Sequence, residues 1–526
     1  MDEPLFLKIV NELMGKYKEN PYMYQRLETH LLNLPNILEQ EHKKYDERIT
    51  RFNELTTEQD HFHKVFLSKH QYFYMPYNNI YYEYDGKTYK IAKEDDIHYK
   101  LLTTITDEQK LVQWKHKTKQ TIIKKIKDRL LLKSTPETYT IQNVLGFLQT
   151  IFHSKTEAKY FLTVIGDCIL KKNSENLLYF VSSHLKRFIS FIDSIVYVTT
   201  GNSIMNHFIT KYHDSHKLHL YRLIKTDETI NSLSTYFIKD ALNNIGIDLL
   251  CVASHYSERY NNSDNYLNSK DEKDIRNYVL YFSQKPCETI IDDFLEQCIE
   301  KVNVEETEMT WKNVHYIWKL YLSSIYIPNM IYSQQLQDIL ITKMNYKNEG
   351  GNIVFTGVTS KYLPNVRSFL SFWEKHITII DEETMEIDDE FEIDELITLY
   401  KNSDKKLCQI TDISMIKMIC HYFSPQVEVI DNKYVTNIRC NLWSKHDDIN
   451  EFLQSYKLQN SNMNADIISF DDLYQSYKLY LKAKMVFGQN GNPIISKQFF
   501  EKFLTNQLSE YIKFDKFVSS EWLTNT

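Results

Sequence analysis

A chain of 526 residues with 42% apolar content can bury several cores, so it reads as several modules or one large helical assembly. The formal net charge of −8 excludes a polycation and confines any nucleic-acid contact to a local patch. Only 11 Gly and 10 Pro occur, far under the usual shares of about 7% and 5%, and so few forced breaks favour helices.

In chain order, residues 1–70 form an N-terminal helical segment, with Val10, Leu13 and Tyr17 on one face and Leu27, Leu31 and Leu34 on another. Its start, MDEPLFLKIVNELMGKYKEN, is acidic and amphipathic, unlike the basic, apolar-cored pattern of a signal peptide. No run approaches the ~20 apolar residues of a membrane span, so no membrane partner is expected. Seven cysteines without a C-x-x-C pair fit reduced thiols and a cytoplasmic location.

Residues 71–155 form an aromatic hairpin followed by a basic helix. The hairpin turns at Asp85-Gly86, a two-residue pair that accepts positive φ, between strands at 80–84 and 87–91. Gly86-Lys87-Thr88 also spells the end of a phosphate-binding P-loop. Tyr81, however, occupies the position where that loop needs its first glycine. A second candidate, beginning at Gly350, has Val358 after Gly357 where lysine is required. With neither motif intact, no nucleotide or other cofactor is expected. The stretch 101–133 then reads as helix, turn, helix, and Thr135-Pro136 opens another helix carrying Ile141, Val144, Leu145 and Leu148 inward.

Residues 156–300 form a central, mostly helical domain with strands at 195–200 and 219–224 and an exposed polar loop at 260–274. Residues 301–380 form a second helical region, helical over 311–346. The last region, 381–526, opens on an acidic loop, 381–395, with ten acids and no base. FEIDELITLYK (391–401) resembles SFDDLYQSYK (469–478), a weak internal repeat. Ser496 is placed as an N-cap, with Phe499, Phe500, Phe503 and Leu504 inward. A closing hairpin after this helix gives the order of a winged-helix-like module. The whole is a mainly α, α+β chain with small β-hairpins.

Candidate chemistry is sparse. His213, His216 and His219 stand three apart, a spacing that shares one helix face, but their surroundings read as a loop entering a strand, so no metal site is assigned. Acid pairs such as Asp95-Asp96 and Asp471-Asp472 sit at helix starts, where they oppose the macrodipole. No residue set reads as catalytic. The sharpest feature is the helix at 115–133. Lys115, Lys117, Lys119, Lys124, Lys125, Lys127, Arg129 and Lys133 stand against a single acid, Asp128, with Ile122, Ile123, Ile126 and Leu130 as the apolar stripe. Such a strip neutralises phosphates, or else it is a solvated face paired to acidic neighbours. The tyrosines of 72–89 either stack bases or simply pack.

Abundant Tyr, Asn, Ile and Lys point to AT-rich codons, as in many large DNA viruses. YYEYDGKTYKIAKEDDIHYKLLTTI resembles the region before the motor in poxvirus-type superfamily III primase-helicases. FDDLYQSYKLYLKAK with ISKQFFEKFL is similar to the winged-helix-like tail after that motor. The resemblance implies a motor-less relative, because no Walker motif is present and no catalytic residue carries over. The function expected is that of a non-catalytic viral accessory protein, in the host cytoplasm or viral factory, that contacts nucleic acid or other viral or host proteins. The alternative is a helical scaffold for protein partners, met by the acidic loop 381–395.

Overall fold

The computed structural model describes residues 3–107, 109–172, 176–213, 215–227, 235–270, 273–302, 307–380, 390–403, 410–460, 467–486 and 493–524. It is 65% helical with sheets of two or three strands, the mainly α class expected. Among the described residues no helix is long and apolar enough to cross a membrane.

The front begins as a helical hairpin of α1 (Glu3–Tyr17) and α2 (Pro21–Lys69). Asn20 starts α2 by accepting from the Met23 N–H, with Pro21 in the first turn, where its missing N–H costs nothing. At 49 residues α2 is about 73 Å long, and its last turns alone are buried, through Gln59, Phe62, His63, Phe66 and Leu67. They pack on a three-stranded antiparallel sheet, β1 (Gln71–Met75), β2 (Ile80–Tyr84) and β3 (Tyr89–Ala92), and on α3 (Glu94–Asp107) and α4 (Lys115–Lys127).

The expected hairpin is present with two differences. Tyr84 pairs with Tyr89, so the turn has four residues, 85–88, not two. The Asp85 carboxylate explains this: its Oδ1 accepts from the N–H groups of both Lys87 and Thr88, and Gly86 takes φ +85°. Those bonds and Lys90 hold the Asp85 pKa down at about 2. The second difference is β1, which extends the hairpin to a sheet. Tyr72, Tyr74, Tyr81, Tyr82, Tyr84 and Tyr89 are buried and pack; of the tyrosines in 72–89, Tyr77 is exposed.

The centre is built on the helix Lys155–Ile169 and the 26-residue helix Thr235–Tyr260. They approach closely at Gly166, where a Cβ would lie 2.1 Å from the Ala253 carbonyl oxygen. The strand expected at 195–200 is instead the end of a helix, Ser183–Thr200. Its β-branched residues fall at helical spacing, and Ile192, Val196 and Thr199 are buried, so packing overrides strand propensity. The second expected strand survives as Tyr221–Leu223. It belongs to a small parallel sheet in which Leu178–Phe180 is central, between Phe208–Ile209 and Tyr221–Leu223. The polar segment 260–274 is not a plain loop. Asn262 caps a short helix, Ser263–Asn268, that buries Tyr266 and Leu267. The helix foreseen at Thr135-Pro136 starts later, as Thr138–Leu148 with Glu137 at its cap.

The back half repeats one topology three times: strand, helix, helix, strand, strand, with the third strand in the middle of an antiparallel sheet. The first unit runs Glu308–Thr310, Trp311–Ser324, Ser333–Lys343, Tyr346–Glu349 and Asn352–Thr356. The second runs Glu390–Glu392, Ile393–Ser403, Asp412–Tyr422, Glu428–Ile430 and Tyr434–Thr436. The third runs Ile467–Ser469, Phe470–Val486, Lys497–Gln507, Ile512–Lys513 and Phe517–Ser519. Gly350 and Gly351, at φ +59° and +93°, make the two-residue turn of the first unit's closing hairpin, so the second P-loop candidate is a β-turn.

In each unit the residue ending the first strand helps start the first helix. Thr310 accepts from Asn313 N–H, the Glu392 N–H donates to Glu395, and Ser469 accepts from Asp472 N–H. The repeat read in the sequence is this shared strand-to-helix entry of the second and third units. Ser496 caps its helix as expected, and Phe499, Phe500, Phe503 and Leu504 are buried. Of the acidic segment 381–395, residues 381–389 lie outside the described residues. Residues 390–395 are not loop but strand and helix start, with Glu395 buried.

Candidate nucleic-acid interface

Helix α4 docks through Thr118, Ile122 and Ile126, one face at four-residue steps, with Ile123 half-buried beside them. Gln59 of α2 donates to the buried Thr118 hydroxyl at 3.0 Å, fixing the register of the two helices. The helix ends at Lys127, earlier than the 115–133 expected. The Tyr74 N–H of β1 bonds the Arg129 carbonyl at 2.8 Å, and Leu131 turns into the core, so the chain leaves the helix to join the sheet.

This geometry sorts the eight cations. Lys117, Lys124 and Lys127 lie on the face away from the buried stripe, and all three are exposed. Lys115 and Lys119 are half-buried, and Lys115 donates to Thr106. Lys125 flanks the seam, 3.3 Å from Nδ1 of His63. Burial, then the Lys125 charge, lowers the pKa of His63, which keeps that ring neutral at pH 7. Arg129, past the helix end, donates to the Leu67 carbonyl and serves the fold. Lys133 is exposed in the short turn that follows.

Among the described residues none of the eight is in an ion pair with a carboxylate. Of the carboxylates nearby, Glu58 is paired with Lys110 and Glu83 with Lys100. The aromatic side chain beside α4 is one that the tyrosine-centred reading missed. Lys117 Nζ sits 3.9 Å from the centroid of Trp114, which in turn meets Phe52 edge-on at 5.3 Å. Trp114 directly precedes the lysine run, so adjacency in sequence was the available signal.

The other features are weaker. The His213 and His216 rings lie 5.2 Å apart, tilted by 37°, and among the described residues no three His, Cys, Asp or Glu gather as a metal site. Asp214 lies outside the described residues. A cleft opens at the carboxyl ends of the small parallel sheet, lined by Ser182, Thr226, Asp227, Lys319 and Asn329. The strand there runs into Ser182 and a helix with no glycine to bring backbone N–H groups against a phosphate. None of the six described cysteines is in a disulfide.

No family model, curated protein or solved structure matches the chain.

Proposed function

We propose that this protein is a non-catalytic, nucleic-acid-binding member of a viral nucleic-acid-handling assembly, with the outer face of α4 as its phosphate contact. The observation that carries the reading is that Lys117, Lys124, Lys125 and Lys127 are exposed together on α4 with no ion pair among the described residues, in a chain of net charge −8. An acidic protein that leaves one basic face unneutralised has that face available to an external polyanion. Contact by Lys117, Lys124, Lys125 and Lys127 releases condensed counterions, so affinity falls steeply with salt and depends little on sequence.

The test is a mobility-shift titration with duplex and single-stranded DNA and RNA across salt. Reversing Lys124, Lys125 and Lys127 to Glu weakens binding and flattens the salt dependence. Unchanged affinity and slope would remove α4 as the site.

The scaffold reading draws on a different observation. Three units in which the third strand lies between the first and second have the order of winged-helix-like modules, and the second and third share a single core. Their second helices carry few exposed cations. Lys343 is paired with Asp292, and Lys417 donates to Ser323 of the neighbouring unit. In this reading the array positions partners and α4 holds the nucleic acid.

A further inference from the structure

Beside the lysines of α4 the structure places two rings. Phe52 stands about two turns before Gln59 on the same face of α2, and Gln59 is the residue that bonds Thr118 of α4. Trp114, half-buried, immediately precedes α4 and meets Phe52 edge-on. A second contact pins the same junction: the exposed Arg51 donates from Nη2 to Oε1 of Gln113 at 2.7 Å. The Phe52 ring is still 53% exposed, because α4 begins only at Lys115. It is held in place by Trp114 and open to solvent.

The cations start at these rings. Lys117 Nζ lies 3.9 Å from the Trp114 centroid and 5.4 Å from that of Phe52, so one ammonium serves both. Lys124 follows seven residues later, about 10 Å along the same face of α4, and Lys127 three residues beyond it. All three are exposed. The arrangement is a line of positive charge with an aromatic platform at one end. Lysines recognise the backbone phosphates of any nucleic acid. Rings recognise base faces, and in a duplex those faces are already covered by neighbouring base pairs. An unpaired strand offers phosphates and free base faces together, and stacking on aromatic side chains holds such strands without sequence preference.

We propose that the α4 site takes single-stranded nucleic acid, its bases stacking on Phe52 and Trp114 while its phosphates follow Lys117, Lys124 and Lys127. The inference rests on α4 as the phosphate contact and adds the kind of strand it selects. Lys117 rides on a flexible stem, so it exchanges the Trp114 ring for a phosphate and frees that ring face for a base. A duplex meets the lysines alone and leaves the rings unused, so it binds more weakly.

The experiment is fluorescence anisotropy of a fluorescein-labelled oligothymidine strand and of a labelled duplex of the same length, each titrated with the full chain across salt. The wild type binds the single strand about tenfold more tightly than the duplex. Phe52→Leu keeps an apolar side chain at this exposed position but removes the ring. It loses most of the preference, with duplex affinity and both salt slopes unchanged, and adding Trp114→Leu removes the rest. Phe52→Tyr keeps a ring and keeps the preference. Equal or tighter binding of the duplex by the wild type overturns the inference, and so does a Phe52→Leu protein with the full preference. Both of those results leave the phosphate role of α4 standing when reversal of Lys124, Lys125 and Lys127 still flattens the salt slope. Slopes that this reversal leaves unchanged with both probes overturn the inference and the phosphate role together.

Discussion

The back half of the chain and its front arm handle charge and apolar surface in opposite ways. One core spans the second and third units as far as Leu523, with Tyr316 of the first unit packed into it. Even its charges are internal: Lys445 and Glu395 are 2% and 3% exposed, pair at 2.7 Å, and Lys445 also donates to the Glu390 carbonyl and lies against Phe391 and Phe499. In the front, α2 leaves Leu38, Tyr45 and Phe52 open, and α4 leaves Lys117, Lys124 and Lys127 exposed with no ion pair among the described residues.

That contrast can be broken most severely in the back half. Burial raises the pKa of Glu395 and Lys445 opposes the rise, so the ionised pair depends on both members. Glu395→Leu strands a buried ammonium and costs about 3–5 kcal/mol, read as lost hydrogen-exchange protection over the second and third units. Gly166→Ala is next. The added Cβ meets a backbone oxygen at 2.1 Å, and the two helices part at a cost of about 3 kcal/mol, measured by urea unfolding.

Asp248 ties the front sheet to the centre by accepting from the Tyr89 N–H at 2.7 Å. Burial raises its pKa from 3.8 to about 6. The folded state thus holds the proton where the unfolded state has lost it, and stability from this group falls as pH rises from about 4 to about 6, then levels. The loss is about 3 kcal/mol. Asp248→Asn keeps the acceptor, removes that slope and raises the melting temperature at pH 7. The smallest effect belongs to the arm: Leu38→Glu changes monomer stability by under about 0.5 kcal/mol, because nothing in its own chain covers that side chain. A large loss there would mean that the arm is part of the body after all.

The sequence made the local signals legible and the distant ones not. Ser496 and the helix after it were readable because capping and apolar spacing are carried by neighbouring residues. The repeat at 391–401 and 469–478 was readable because both helices start with acids. Its third instance, at Trp311–Ser324, starts from Thr310 with no acid in the first turn, so the pattern was hidden while the fold was kept. The β-branched run 195–200 was misread because its burial is decided by helices far along the chain. The turn at Asp85 was lengthened by a side-chain carboxylate that no dipeptide rule includes. On α4 the lysines were plain in the sequence. Their lack of ion pairs among the described residues was not, since that depends on which acids fold nearby.

The most direct test of the central claim is the slope of log affinity against log salt for a DNA duplex, wild type beside the Lys124→Glu, Lys125→Glu, Lys127→Glu protein. Each phosphate contact contributes a slope of about −0.9, so the triple variant should bind weakly with a slope shallower by up to about 3. Equal slopes for the two proteins, at any affinity, would contradict a phosphate-binding role for α4.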